Sequence, residues 1–193
     1  SVPPAVIAKN IIMEEKPDAD ITIIDTRSAS LGQGLLVYYA VTMLEEGASK
    51  DEIVNWVEKN KLKLHHWFTV DDLGHLKRGG RLSGTAAFVG TILNIKPVLH
   101  VDDEGHLIPK MKAKGRKRSL RMLVDKMEEN AINPQEQVVA ISHGDALEDA
   151  NYVAQLVRSR FNVKDIIINH VGPVIGSHSG PGTIALFFLG GNR

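Results

Sequence analysis

The sequence predicts an α/β fold in which short strands alternate with helices. Three observations predict it. The apolar content, 43% of 193 residues, is mostly Val, Ile, Leu and Ala, with only 5% aromatics. Short β-branched runs give way repeatedly to stretches with apolar residues at helical spacing. Clusters of Gly, Pro and Asp punctuate the two. A chain of this length builds one large or two small domains with a sizeable core, so no staple is needed.

The elements follow in order. Ile7, Ala8, Ile11 and Ile12 share one face of a helix that starts behind Pro3 and Pro4. Ile21 to Ile24 reads as a strand, followed by the loop Asp25-Thr26-Arg27-Ser28-Ala29-Ser30 and a glycine-containing helix through Leu35, Tyr39 and Met43. Ser49 and Glu52 form a capping-box signature for a helix over about 50–61. Leu64 to Val70 is expected as a strand. Asp71-Asp72-Leu73 opens a short helix that runs into Arg78-Gly79-Gly80-Arg81-Leu82-Ser83, and Thr85 to Leu93 is expected to be helical.

The composition shifts near residue 95, which divides the chain into domains at 1–94 and 95–193. The second begins with a hairpin over 97–112, turning at Asp102-Asp103-Glu104-Gly105. A helix through Leu120, Leu123, Val124 and Met127 comes next, then a strand over 137–141. Ala150, Val153, Ala154 and Val157 mark a further helix, Asp165 to Asn169 a strand, and Ile184 to Leu189 the last strand. The glycine-rich stretch Gly172 to Gly182 reads as a turn holding His178.

Charge and composition exclude several classes. Basic and acidic residues balance at 23 each, so no whole-molecule field draws nucleic acid or an anionic membrane. Cysteine is absent, which removes thiol catalysis and Cys-type zinc sites and fits a reducing cytoplasm. No segment has the apolar length of a membrane span. There is no Gly-x-Ser-x-Gly elbow and no His-x-x-x-His pair. His65 and His66 point to opposite faces of a strand, His100 and His106 can meet across the hairpin, and all are expected in solvent. No metal or cofactor is expected.

Three elements can carry chemistry. In Arg78-Gly79-Gly80-Arg81 two glycines allow close backbone approach and two guanidiniums suit a carboxylate or phosphate; the bland alternative is a surface turn paired with Asp71 and Asp72. His178, amid Gly176, Gly180 and Gly182, can donate to a carboxylate or be a satisfied structural histidine. The 25–34 loop offers hydroxyls at the carboxyl end of a strand, where α/β sheets place ligands, and its Ser and Gly residues are also ordinary caps. The basic run Lys110 to Arg121 can meet an acidic partner. It lacks interleaved aromatics for single-stranded nucleic acid.

Together and in this order, Asp25 to Ser30, Leu76 to Ser83, Lys114-Gly115-Arg116-Lys117-Arg118 and Gly172 to Gly182 before Phe187-Phe188-Leu189-Gly190 resemble the DegV family. The resemblance runs from about residue 5 to the end. It implies two α/β domains, the second with a mixed or antiparallel sheet and flanking helices. It also implies a carrier and not a catalyst. A long-chain fatty acid would lie between the domains, and a separate fatty acid kinase would phosphorylate its carboxylate. On that reading His178 and one of Arg78 or Arg81 lie at the carboxylate, together with Ser28, Ser30, Ser179 and Gly180. Lys114, Arg116 and Arg118 would face the kinase. Family members are longer at the N-terminus, so the chain is expected to be a truncated copy whose first domain is incomplete. The alternative reading is an enzyme acting on a small phosphorylated or carboxylated substrate, with His178 as acid/base.

Overall fold

Leu64–Thr69 is buried along its whole length, and the sheet is assembled around this strand, β1. The computed structural model describes residues 2–82 and 94–193. Ser83 and the helix expected over 85–93 lie outside the described residues.

Three helices precede β1: α1 (Val2–Glu15), α2 (Leu31–Glu45) and α3 (Lys50–Asn60). After β1 come α4 (Leu73–Arg78), the hairpin β2 (Ile95–Val101) and β3 (Leu107–Lys114), α5 (Arg116–Asn130), β4 (Val138–His143), α6 (Leu147–Arg160), β5 (Asp165–His170), α7 (Pro173–Ser179) and β6 (Ile184–Leu189). The six strands form one mixed sheet in the order β3-β2-β1-β6-β4-β5. β4 and β5 are parallel, joined through α6, and the other neighbours are antiparallel. The sheet thus draws β1 from the first 94 residues and its other strands from the rest.

Both faces of the sheet are covered. On one, α5 and α6 bring Leu120, Leu123, Val124, Met127, Val153 and Val157 against Ile141, Leu186 and Phe188. On the other, Leu35 and Leu36 of α2 and Leu76 of α4 pack on Leu64, Phe68, Leu99 and Phe187. Adjacent Phe187 and Phe188 serve opposite faces, as strand alternation requires.

Several local expectations hold because their signals are local. Ser49 accepts from the Glu52 N–H while the Glu52 carboxylate accepts from Ser49, the reciprocal capping box. Asp72 caps α4 through the Gly74 N–H at 2.8 Å.

Four expectations are corrected. Residues 21–24 join no strand of the sheet: a β-branched run becomes a strand only where a ladder partner lies beside it, and none does among the described residues. The stretch around His178 is not a turn but the short helix α7, started by Pro173 behind the cap residue Gly172 and stopped at Gly180. His65, His66 and His100 are not solvated. All three are buried, because β1 and β2 are covered on both faces. His100 and His106 do not meet; His100 lies opposite Ile108 in the ladder and stacks at 4.2 Å on Trp67, while His106 turns to Asp102.

Candidate functional site

The predicted elements converge on the C-terminal end of β4. Ser30 precedes α2 but makes no side-chain cap; its hydroxyl donates instead to Ser142 Oγ at 3.0 Å. Ser142 is fully buried near the end of β4. Two residues on, about 7 Å along the chain, Gly144 packs on the Gly180 carbonyl: a Cβ at Gly144 would lie 2.7 Å from that oxygen. Gly182 N–H donates to the Gly144 carbonyl at 2.7 Å, and Gly144 N–H to that of Thr183 at 2.8 Å. The His178 segment is therefore stitched to the same strand end that holds Ser30.

The Arg78-Gly79-Gly80-Arg81 element joins this group through its backbone. Arg81 N–H donates to Leu76 O at 3.0 Å and Gly80 N–H to Lys77 O at 3.1 Å, with Gly80 at φ 63°. That pair of bonds is the glycine stop at a helix C-terminus. α4 and α7 then exchange contacts: a Cβ on Gly79 would lie 2.3 Å from His178 Nδ1, and one on Gly180 would lie 2.5 Å from His75 Cδ2. Each histidine rests on the other element's glycine, so neither glycine tolerates a side chain without displacing a ring. Arg78 and Arg81 themselves are exposed, and Arg81 Nη1 donates to its own turn at Gly79 O, 3.3 Å away. Asp71 and Asp72 do not pair with them as the bland reading had it: Asp71 takes Lys96 at 2.7 Å, and Asp72 caps α4.

Ser179 is 5% exposed, and its hydroxyl has no hydrogen-bond partner among the described residues. A buried hydroxyl without a partner costs free energy, so Ser179 is a donor available to a polar ligand group. Ser28 Oγ donates to the Thr26 carbonyl at 3.1 Å. The loop carrying Ser28 and Ser30 is held in an unusual shape: Arg27 and Ser30 both take positive φ, 49° and 54°. For residues with a Cβ that costs roughly 1–3 kcal/mol each and persists only where the surroundings impose it.

The basic segment divides. Lys114 and Arg118 are exposed. Arg116 is not an outward contact: its Nε meets Asp149 Oδ2 at 2.7 Å and its Nη2 donates to the Gly182 carbonyl at 2.6 Å. It anchors the turn behind His178.

Sequence reasoning missed Ser142, His143 and His170. The signal was their place at the carboxyl ends of two neighbouring parallel strands, which shows only once the strands are paired. His143 is buried, its Nδ1 accepts the Ala146 N–H at 3.2 Å, and its ring lies 4.2 Å from that of His170. Burial, and then the neighbouring His170, push its pKa down. In the neutral ring the proton sits on Nε2, which makes His143 a donor and not a metal ligand.

A cleft of about 530 Å³ opens nearby, lined by Asp71, Asp145, Glu148 and Asp149 with Pro181 and Gly182. Asp71 and Asp149 are paired with Lys96 and Arg116, but Asp145 and Glu148 leave the lining acidic, so this cleft does not suit a carboxylate head group. Asp102, Glu104 and His106 bring their ligand atoms within 4.8 Å of one another. Their closeness follows from the hairpin turn, where Asp102 Oδ1 accepts the N–H groups of Glu104 and His106 at 3.1 and 2.8 Å. No helix among the described residues is long and apolar enough to cross a membrane.

Comparison with known proteins gives a consistent picture. The family model for uncharacterised proteins of the DegV family matches residues 3–190. A DegV domain-containing protein of Clostridium perfringens is 56% identical over 189 residues, 98% of this chain and 65% of the relative. A DegV family protein from Ruminococcus gnavus, solved with vaccenic acid, superimposes with a TM-score of 0.88 at 30% identity over 95% of this chain and 65% of its own. The Streptococcus pneumoniae fatty acid kinase B3 protein, loaded with linoleic acid, gives a TM-score of 0.85 at 25% identity over 96% of this chain and 65% of its own. The chain thus spans about 65% of the length of the relatives it matches.

Proposed function

The chain belongs to the DegV family, and from that premise we propose that it takes part in binding one long-chain fatty acid and presents the acid's carboxylate to a separate fatty acid kinase. The observation that carries this reading is the convergence of Ser30 and of the Gly180–Gly182 turn behind His178 on the C-terminal end of β4, in a chain similar to proteins solved with vaccenic and linoleic acid. In this reading the His178 imidazole and the Ser179 hydroxyl donate to the carboxylate, and the hydroxyls of Ser28 and Ser30 join them by turning from the Thr26 carbonyl and Ser142 Oγ, each charge-assisted bond contributing on the order of 1.5–3 kcal/mol. Arg78 and Arg81, exposed at the end of α4, supply positive potential at the mouth. Exposed Lys114 and Arg118 face the kinase. The protein holds and delivers the acid and performs no bond chemistry on it.

An organic extract of the protein purified from a bacterial host, analysed by mass spectrometry, is expected to contain a long-chain acid. His178→Ala and Ser179→Ala are expected to lower its occupancy. Replicate extracts without an acyl chain, together with no uptake of added oleate in native mass spectra, would overturn the reading.

A further inference from the structure

Arg193 ties the 25–32 segment to the sheet, alongside the Ser30–Ser142 hydrogen bond. The Arg193 side chain is 0% exposed. Its Nη2 donates to the Arg27 carbonyl at 3.1 Å, its Nη1 donates to the Leu64 carbonyl at 3.2 Å and lies 3.1 Å from His66 Nδ1, and its Nε sits 3.8 Å from Asp103 Oδ1. The same loop reaches back, with Arg27 Nη1 donating to the Asp103 carbonyl at 2.7 Å.

Of two titratable neighbours of the guanidinium, Asp103 lies 3.8 Å from Nε and His66 Nδ1 is nearer, 3.1 Å from Nη1. A guanidinium has no acceptor, so His66 Nδ1 must offer its lone pair, and the neutral ring carries its proton on Nε2. That Nε2 faces the first turn of α2, where a Cβ on Gly32 would come within 2.5 Å of it, and it has no hydrogen-bond partner among the described residues. His66 is therefore pinned between Arg193 and Gly32, underneath the segment.

The groups around it oppose a proton. His65 lies on the same strand, and His100 on β2 has its Nδ1 3.0 Å from the His66 carbonyl. β6 presents the uncharged Phe187 edge, and α2 presents Gly32. Arg27 and Lys110 add positive charge further out; Asp102 and Asp103 lie on the far side of Arg193 and act mainly on it. The Leu64 carbonyl alone favours the charged ring. Burial first, then Arg193, holds the His66 pKa well below its usual value. A second proton on the ring would set N–H against N–H and cation against cation, 3.1 Å apart.

We propose that residues 25–32 form an acid-released strap, fastened through Arg193 while His66 is neutral and freed when the ring is protonated. The positive φ values at Arg27 and Ser30 mean that the fastened backbone is imposed, not preferred. Lifting the strap uncovers His66, whose pKa then returns toward about 6.5, so acid favours the open form. The strap is independent of the ligand. Only its consequence, loss of Ser28 and Ser30 from the site in acid, rests on the proposed function.

Hydrogen–deuterium exchange, corrected for the intrinsic pH dependence and followed from about pH 7.5 to about pH 5, reads the opening. With one histidine uncovered, the opening constant of amides in 26–34 should rise about tenfold per pH unit below about 6.5. Amides of β4 and α5 also lose protection in acid as the buried histidines titrate on global unfolding, but their opening constants should stay far below that of the strap at every pH, which separates strap opening from global unfolding. His66→Gln keeps an acceptor for Arg193 without a titrating group, and its strap should stay closed throughout. His100→Gln should leave the slope in place. A strap whose opening constant equals that of β4, a slope that survives His66→Gln, or a slope lost only in His100→Gln overturns the proposal. Should His66→Gln fail to fold, the wild-type imidazole ¹⁵N spectrum decides: an Nδ1-protonated neutral ring contradicts the fastening.

Discussion

α1 and α5 are nearly equal in length, 14 and 15 residues, yet they stand at opposite extremes. α5 buries Leu120, Leu123, Val124 and Met127 completely against the sheet. α1 buries nothing, and Ile7 and Ile11, spaced for one helical face, remain 60% and 54% exposed. α2 lies between the two: Leu35 and Leu36 are buried in the sheet, while Val37, Val41 and Leu44 face outward. Helical periodicity thus announces an apolar face without saying what covers it. In energetic terms the sheet with α5 and α6 holds the fold, and α1 contributes little apolar burial.

The sharpest way to break that contrast is to cut into the covered side. Phe188 is fully buried among α5 and β1 residues and stacks on His65 at 5.1 Å. Phe188→Ala should cost about 3–5 kcal/mol of unfolding free energy, from lost transfer energy plus the cavity, read as a fall in the urea midpoint at unchanged slope. A cost below about 1 kcal/mol would mean that this face is not tightly packed.

Acid attacks the same region. Burial holds the His100 imidazole at about 4, below the usual 6.5, and also lowers His65 and His66. The unfolded chain binds these protons near pH 6.5 and the folded chain does not. The contribution is therefore complete above pH 6.5 and is lost as pH falls toward about 4. At roughly 1.4 kcal/mol per unit, His100 alone accounts for about 3 kcal/mol. Urea midpoints taken at steps across this range should fall steadily, and His100→Gln should flatten the curve. An unchanged midpoint would place these rings in water.

That chemistry was largely illegible in the sequence, for a physical reason. Adjacent histidines on a strand point to opposite faces, and a one-sided sheet would have left one in solvent. β1 is covered on both sides, which depends on its pairing with β2 and β6, far away in the chain. Features written in neighbouring residues were readable: the Ser49–Glu52 capping box, the hairpin turn from Asp102, and Asp72 ahead of α4. Pro173 and Gly180 were also a readable helix start and stop around His178, as was Gly80 after α4, but glycine-rich composition drew attention to loops instead. The site was legible as an inventory and not as an arrangement. Ser30 meets Ser142, Gly180 meets Gly144 and His178 meets Gly79, pairings that nothing near them in the chain announces.

A smaller effect probes the seam where α2 meets the sheet. The Tyr39 hydroxyl donates to the Val138 carbonyl at 3.3 Å and accepts its N–H at 3.2 Å, pinning the half-covered helix to β4. Tyr39→Phe leaves both backbone groups without that partner and should cost about 1–2 kcal/mol. Loss of the hydroxyl without any change in stability would mean that these groups find other partners.

The smallest effect on folding should come from the bare side of the comparison. Ile7→Lys with Ile11→Lys alters a helix that buries no residue, so the unfolding free energy should move by no more than about 0.5 kcal/mol. Self-association should change far more. The exposed Ile7, Ile11 and Ile12 of α1, with Val37, Val41 and Leu44 of α2, present apolar surface of the kind that draws chains together in water. Light scattering at rising protein concentration should show the wild type associating and the double variant staying dispersed. If the variant instead unfolds cooperatively at a markedly lower urea concentration, then α1 is packed in solution. In that case the contrast with α5 is one of partner and not of burial.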